Sequence, residues 1–194
     1  MSHVVSLVKG ANVNLSKIAP AMIAATIGLG WVKRVTDGTD FDLDASLFLL
    51  NEQGVVESAE GFVYYRNPAS PCGSVNHKGD NRTGEGEGDD ETIAVQLDKI
   101  PDSIKRLAVV VSIHDGVARG QSFGQVSDAY IRVMNDADGE VLTRYDLSED
   151  ASMETAMVLG ELYRHGDDWK FKAIGQGYKE GLAEAMKQYG ISAS

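Results

Sequence analysis

The stretch Asp40-Phe41-Asp42-Leu43-Asp44-Ala45-Ser46-Leu47-Phe48-Leu49-Leu50 carries the pattern that decides the fold of this chain. In its first half, polar and apolar residues alternate with a period of two. This alternation predicts a β-strand with one polar and one apolar face, because successive side chains of a strand point to opposite faces. One predicted face carries Asp40, Asp42, Asp44 and Ser46, and the other carries Phe41, Leu43, Ala45 and Leu47. The second half is apolar on both faces, as expected for a strand that enters the core of a β-sandwich.

Short segments of β type, separated by turn signals, occupy most of the remaining chain. We predict strands within residues 4–7, 12–15, 22–29, 62–65, 75–77, 92–97, 107–113, 129–134 and 140–147, and a hairpin from 155 to 174. One helical turn is expected within residues 100–106 and a loop within 117–124. Only the end of the chain has helical periodicity, with Leu182, Ala185, Met186 and Tyr189 on one face.

This order of elements predicts a mainly β protein, an antiparallel β-sandwich with a few short helices that include a C-terminal one. We find no internal repeat and no linker composition in the sequence. Residues 1–194 are therefore expected to form a single domain.

Composition and charge narrow the possible partners. The chain has 194 residues, a formal net charge of −11 and 43% hydrophobic residues. The negative charge disfavours nucleic acid or an anionic membrane surface as a direct partner, and it favours cations or basic patches on other proteins. The single cysteine, Cys72, cannot form a disulfide within the chain, which fits a reducing compartment. Without a signal-peptide pattern or an apolar run of transmembrane length, we expect a soluble, cytoplasmic protein.

A second acidic stretch, at residues 80–91, reads Asp-Asn-Arg-Thr-Gly-Glu-Gly-Glu-Gly-Asp-Asp-Glu and holds six carboxylates and one arginine. Its glycines allow the backbone to fold tightly. Two carboxylates about 4 Å apart repel each other by roughly 4 kcal/mol at an effective dielectric near 20. A compact loop of this composition therefore needs a cation, whereas the alternative is a flexible, solvated acidic loop. For the acidic face of the first stretch, the alternative is an edge strand whose charges prevent edge pairing.

Among cations, these residues favour calcium, which takes six to eight oxygen ligands from carboxylates, carbonyls and water. Zinc sites need clustered Cys and His, whereas Cys72 is alone and the four histidines are scattered. Magnesium could bind the same residues, although it keeps most of its waters. Asp80 and Glu91 have the end-to-end spacing of an EF-hand loop, but Arg82 and Gly84 stand at ligand positions. The sequence therefore predicts a calcium site of another type.

Two enzymatic alternatives remain open. Gly120-Gln121-Ser122-Phe123-Gly124 matches the G-x-S-x-G nucleophile elbow, and His165 with Asp146 could complete a serine hydrolase triad. That motif requires a strand before it and a helix after it, which the sequence pattern does not predict, so a turn with an incidental serine is favoured. The second alternative is a metal-dependent hydrolase or phosphoryl-transfer enzyme that uses the acidic cluster.

Several motifs together resemble the signature of the tellurium-resistance TerD family, in order and over nearly the whole chain. They are Phe41-Asp42-Leu43-Asp44-Ala45-Ser46, Gly-Asp-Asn-Arg-Thr-Gly-Glu-Gly-Glu-Gly-Asp-Asp-Glu at 79–91, Ile113-His114-Asp115-Gly116, Ser122-Phe123-Gly124-Gln125-Val126, Arg144-Tyr145-Asp146-Leu147, Gly160-Glu161-Leu162-Tyr163-Arg164, Trp169-Lys170-Phe171 and Gly175-Gln176-Gly177-Tyr178. The family commonly has Gly-Trp-Asp where this chain has Gly30-Trp31-Val32, so one metal site here would lack a ligand or take Asp37 instead.

The resemblance implies a β-sandwich that binds calcium, usually two ions, and that serves in resistance to tellurite and other stresses. It implies work with other Ter proteins, one of them an integral membrane protein, at the inner face of the membrane, and it implies no established enzymatic activity. We therefore expect a calcium-binding interaction module that is not an enzyme and does not itself insert into the membrane. The expected metal ligands are Asp42, Asp44, Asp80, Asn81, Gly84, Gly86, Asp89, Asp90, Glu91 and Asp115.

Overall fold

Two six-stranded sheets form the protein in the computed structural model, which describes residues 4–32, 37–86, 88–147 and 153–192. The first sheet contains β1 (Val5–Leu7), β3 (Ala24–Val32), β6 (Val75–His77), β7 (Glu91–Gln96), β9 (Ser127–Asn135) and β10 (Glu140–Asp146). The second contains β2 (Asn12–Asn14), β4 (Leu43–Leu50), β5 (Phe62–Val63), β8 (Arg106–Ile113), β11 (Ala156–His165) and β12 (Asp168–Tyr178). The predicted β-sandwich is confirmed.

The strand order is β1-β10-β9-β3-β7-β6 in the first sheet and β2-β12-β11-β8-β4-β5 in the second. Nearly all neighbouring strands are antiparallel, and the exception among the described pairs is β1, which runs parallel to β10. The sequence pattern did not distinguish this pair, because a strand of three residues carries no signal for the direction of its neighbour.

Strand β4 is buried on both faces, as its sequence predicts. Leu43 and Leu47 face the interior between the two sheets, whereas Phe48 and Leu50 belong to a second apolar cluster on the outer side of the second sheet. Full burial of each such side chain stabilises the fold by about 1.5–3 kcal/mol. The strand begins only at Leu43, so Asp40 precedes it.

The helices are short: α1 (Leu15–Ile18), α2 (Gly116–Arg119) and α3 (Leu182–Gln188), with 3-10 turns at Ala59–Gly61, Leu97–Lys99 and Phe123–Gln125. The predicted C-terminal helix is present, and it places Ala185 and Tyr189 on the outer apolar cluster. No described helix has the length and apolar character needed to cross a bilayer.

Two local predictions were wrong. The expected helical turn within 100–106 is instead a 3-10 turn at Leu97–Lys99, and β8 already begins at Arg106. The expected loop after residue 116 contains α2, which ends where Gly120 adopts a left-handed conformation with φ of 63°. A helix of one turn is too short to show the periodicity from which helices are predicted.

Candidate metal centre

Three of the predicted ligands meet at the start of β4. The carboxylates of Asp42, Asp44 and Asp80 place ligand atoms within 4.8 Å of one another. Asp42 and Asp44 are each only 8% exposed. Asp80 comes from the loop between β6 and β7, so the cluster joins the two sheets. At this separation each pair of charged carboxylates repels by about 3–4 kcal/mol at an effective dielectric near 20.

The cluster forms because Leu43 is anchored in the interior, which turns the residues on either side of it to the opposite face of the strand. The end of β8 fixes this start of β4, since the backbone N–H of His114 donates to the carbonyl of Asp42 at 2.8 Å. The His114 ring also lies near the cluster, with Nδ1 3.4 Å from Oδ2 of Asp44.

Burial makes the charged form of these acids unfavourable. It raises the pKa of Asp44 to about 7, and the negative charges of Glu91 and Asp42 act in the same direction. Burial also raises the pKa of Asp42. Arg82 of the acidic loop offsets little of the repulsion between these carboxylates, because its Nε is 3.7 Å from Asp80 and its side chain is 72% exposed.

The donor set fits a hard divalent cation. Oδ1 of Asp42 is buried and has no hydrogen-bond partner among the described residues. A buried carboxylate oxygen without a donor is strongly unfavourable, and a cation is the partner that would satisfy it together with the other two carboxylates. The three residues supply only oxygen ligands, which is the chemistry that Ca²⁺ and Mg²⁺ prefer.

Glu91 lies beside this cluster and connects the two sheets. Strand β5 pairs with β4 at Leu47 and Phe48, so Ala45 lies before the paired part of this edge. The backbone N–H of Ala45 instead donates a hydrogen bond to Oε2 of Glu91 at 2.6 Å. The same oxygen is 3.5 Å from Nε2 of His77. Oε1 is buried without a partner in the described part of the chain, and burial raises the pKa of Glu91. Glu91 is thus both a structural link and a carboxylate with a free oxygen next to the cluster.

Asp89 lies outside the cluster, although the sequence predicted it as a ligand. Its carboxylate pairs with Nε of Arg132 at 2.8 Å and accepts a hydrogen bond from the Tyr130 hydroxyl at 3.0 Å. Gly28 on β3 makes room for it, because a Cβ there would overlap the Asp89 carboxylate. Asp89 therefore fastens the end of the acidic loop to the outer face of the first sheet.

Asp90 and Asn81 organise the loop from within. Asp90 accepts hydrogen bonds from the backbone N–H of Trp31 and from the Asn81 amide, each at 2.9 Å. Oδ1 of Asn81 accepts from the backbone N–H groups of Thr83 and Gly84, both at 3.1 Å. Gly84 has φ of 69° and packs so closely on the Trp31 indole that a Cβ would collide with it. Burial raises the pKa of Asp90.

The other two predicted ligands lie at the surface. Asp115 precedes α2, and its exposed carboxylate is 3.6 Å from Nε2 of His114 and 3.8 Å from Arg119. Gly86 is exposed on the loop. The structure thus groups Asp42, Asp44 and Asp80, with Glu91 adjacent, while the assignment of the remaining residues as ligands stays a prediction.

Sequence reasoning missed residues that position the site. Nε2 of Gln121 donates to the carbonyls of Thr39 and Asp40 at 2.9 and 3.2 Å, so it holds the segment that leads into Asp42. Arg132 and Tyr130 anchor the loop from β9 in the same indirect way. None of these residues carries a local signal for this role, since each acts on a segment far away in sequence.

The serine hydrolase arrangement is not formed. Ser122 starts a 3-10 turn, and the adjacent Phe123 bonds to Glu154 next to the start of β11. His165 is at the other end of this ten-residue strand. At about 3.3 Å per residue the strand separates the two by roughly 30 Å. Asp146 pairs with Arg144 at 2.6 Å.

The fold and this cluster define a class of protein: a two-sheet β-sandwich with a cluster of three carboxylates where the acidic loop meets β4. The TerD domain family matches residues 3–189, and the chain belongs to this family. It is 58% identical over 190 residues to tellurium resistance protein TerD of Serratia marcescens, covering 98% of this chain and 99% of that protein. It is 48% identical over 188 residues to general stress protein 16U of Bacillus subtilis, covering 96% of this chain and 97% of that protein.

A solved structure supports the fold independently. A homologue of telluride resistance protein (TerD) from Streptomyces coelicolor superposes with a TM-score of 0.71 and covers 89% of this chain and 100% of that chain. Its sequence identity is 22%, so the likeness concerns the fold. As a member of the TerD family, the chain belongs to the tellurium and stress resistance proteins.

Proposed function

We propose that this protein binds calcium and acts in tellurium and stress resistance as a metal-dependent interaction module rather than as a catalyst. The observation that supports it most is the meeting of Asp42, Asp44 and Asp80 within 4.8 Å, with one oxygen of Asp42 buried and unbonded. Without a cation this arrangement places mutually repelling charges in a poorly solvated site.

Calcium fits better than the alternatives. The cluster offers carboxylates from a loop and from the start of a strand, and calcium accepts irregular shells of six to eight oxygens, whereas magnesium demands near-ideal octahedral geometry. Asp42, Asp44 and Asp80 would hold the ion, and the charge of Glu91, which raises the pKa of Asp44, would add to the attraction for it. We propose two ions, as the family resemblance implies.

The bound cation would act on the shape of the acidic loop. Asp80 belongs to the loop, and Asp42 and Asp44 belong to the opposite sheet, so an ion held by all three would fix the loop against β4. The surface beside the loop would then differ between the metal-free and metal-bound states. We propose that this surface serves other Ter proteins, including an integral membrane partner, and that the protein works in the cytoplasm, at the inner membrane face when this partner recruits it.

Calcium should raise the melting temperature of chelator-treated protein. A ligand at about a hundred times its dissociation constant stabilises the native state by about 2.7 kcal/mol, which corresponds to roughly 5–10 °C for a chain of this size. Magnesium at the same concentration should give a smaller shift. The Trp31 indole, which packs on Gly84 of the loop, gives a second readout by fluorescence in Trp169→Phe, which keeps one of the two tryptophans.

The double variant Asp42→Asn with Asp44→Asn should lose this shift. Asp98→Asn with Asp102→Asn is the matched control, because it removes two charges from exposed positions before the opposite end of β8. If calcium stabilises neither the parent protein nor the control, the cation site is wrong. If it stabilises the double variant as much as the control, the ion binds elsewhere.

A further inference from the structure

A groove on the outer face of the second sheet begins at the cation cluster and leads away from it. Its volume is about 430 Å³, within the range of ligand-binding clefts. The floor is made by Asp44, Ser46, Ser112 and Thr155, and the walls include Tyr64, Tyr65, Val117, Glu180 and Leu182. We propose that this groove binds a lysine or arginine side chain presented by a basic segment of a partner protein.

The groove exists because α3 covers only part of the sheet. The helix packs on the apolar cluster that contains Phe48, Val110 and Val158. Toward the start of β4 the outward residues become polar, since Asp44 pairs with Ser112 across the strands and Ser46 pairs with Val110. The uncovered strip is therefore polar, although it lies directly beside an apolar core.

The floor presents hydrogen-bond acceptors. The Ser46 hydroxyl donates its proton to the carbonyl of Val110, and the Thr155 hydroxyl donates to the carbonyl of Lys179, each at 3.1 Å. Both oxygens keep lone pairs but have no proton left to donate. Asp44 adds a carboxylate, which in its charged form has hydrogen-bond acceptors and no donor. The Ser112 hydroxyl is the floor group that can still donate, so most of the floor favours a ligand that brings donors, and an ammonium or guanidinium group brings donors alone.

The charge of the rim is also negative. Glu180 is exposed at the groove and forms no ion pair with any residue that the structure describes. Asp115 is the other carboxylate of the rim, but Arg119 and the His114 ring lie within 4 Å of it. The nearby Arg66 is directed to the Tyr65 ring at 5.4 Å. Glu180 thus supplies the negative charge that a cationic side chain would meet at the rim, and Asp44 adds to it when it is deprotonated and holds no metal.

The walls suit the rest of such a side chain. Tyr64 and Tyr65 line the wall with aromatic rings, which attract cations, although Arg66 already lies over one face of Tyr65 and Tyr64 stacks on Phe62. Val117 is 64% exposed and can cover the alkyl stem of a lysine or arginine. Val117 stands at the edge of the groove, where the backbone of a peptide would pass, and the net charge of −11 attracts basic segments from a distance. These features favour a protein segment over a free small cation.

This inference rests on the proposed interaction role, but it does not depend on a bound metal. The groove and the calcium site can therefore be tested, and can fail, independently of each other. We would titrate chelator-treated protein with a short peptide of alternating arginine and alanine and follow backbone amide shifts by NMR. The matched ligand has citrulline in place of arginine, which keeps the shape and removes the charge. We expect the arginine peptide to shift the amides of Ser112, Gly116 and Gly181, and the citrulline peptide to leave them unchanged.

Glu180→Gln and Tyr65→Leu should each weaken binding of the arginine peptide, the first by about threefold. Asp102→Asn removes the same charge from an exposed position outside the groove and should change the affinity less than about twofold. Three results would overturn the proposal: no shift at these amides, equal binding of the citrulline peptide, or shifts confined to residues 80–90. Tighter binding of a glutamate–alanine peptide would identify an anionic ligand instead. Calcium-induced stabilisation, measured on the same samples, reports on the cation site independently.

Discussion

Two pairs of carboxylates lie close together at this end of the sandwich and have opposite surroundings. Asp89 and Asp90 receive hydrogen bonds or ion pairs from Arg132, Tyr130, Trp31 and Asn81. Asp42 and Asp44 face other carboxylates, and one oxygen of Asp42 is buried without a donor among the described residues. The first pair has donors from the protein, whereas the second pair lies among like charges and keeps a buried oxygen that a cation would satisfy.

This contrast shows that the density of acids in a sequence does not indicate which carboxylates find hydrogen-bond donors in the fold. Asp89 and Asp90 belong to the most acidic run of the chain, yet they serve as fasteners of the loop. Asp44 belongs to β4, where Ser46 is the other polar residue, and Asp42 directly precedes that strand. The difference lies in the donors that the neighbouring strands bring, and three variants test it.

The largest effect is expected where Asp89 loses its ion pair with Arg132. In Arg132→Met the Asp89 side chain, which is 5% exposed, keeps the Tyr130 hydroxyl as its one remaining partner among the described residues. The free energy of unfolding in urea should therefore fall by about 3 kcal/mol, with or without calcium. Arg106→Met is the control. Arg106 is 3.9 Å from Glu161 and its side chain is 41% exposed, so its loss should change stability by less than about 1 kcal/mol. Equal effects of the two variants would contradict the fastening role of Asp89.

A smaller effect, of opposite sign, is expected in the cluster. In chelator, Asp44→Asn removes a buried charge that faces other negative charges, so it should stabilise the protein by about 2 kcal/mol. Asp90→Asn should instead destabilise by about 1 kcal/mol, because it weakens the bonds from Trp31 and Asn81. Both changes in the free energy of unfolding would be measured by urea unfolding at mildly alkaline pH. If Asp44→Asn destabilises the metal-free protein, the two pairs do not differ as described.

The smallest effect concerns pH. The pKa of Asp44 is raised to about 7 in the fold, so the native state holds a proton that the unfolded chain has already released. The contribution of Asp44 to stability is therefore complete below its ordinary pKa and is lost as pH rises through about 7. Between about pH 6 and pH 8, metal-free protein should lose on the order of 1 kcal/mol of stability. Thermal unfolding in chelator should show this loss, and Asp44→Asn should remove it. A parallel loss in Asp44→Asn would assign the pH dependence to another group.

Much of the fold could be predicted from local pattern. The alternation around Leu43, the apolar run to Leu50 and the β-branched run of β8 each define a strand, because burial on one or two faces leaves a period that can be read directly. The helix after Gly181 was found for the same reason. Strand β5 ended earlier than expected, at Val63, where Asn67 turns the chain by donating to the carbonyl of Phe62 at 2.7 Å.

The candidate site could be predicted only in part. The acidic face of β4 identified Asp42 and Asp44, since charged residues at every second position of a buried strand need a partner. The sequence also identified the loop that contributes Asp80. It could not separate Asp80 from Asp89, because their roles depend on Arg132 of β9 and on the space left by Gly28 of β3.

The sequence by itself determined the strands, the class of fold, the family and the chemistry of the ligands, since these follow from short-range periodicity and residue type. Only the tertiary structure decided which carboxylates are left without donors and where the acceptor-lined groove lies. Both depend on contacts between segments far apart in the chain: Asp80 against β4, Glu91 against Ala45, and α3 over part of the second sheet. A carboxylate is the same group in each place, and its surroundings determine whether it fastens a loop or is available to hold a cation.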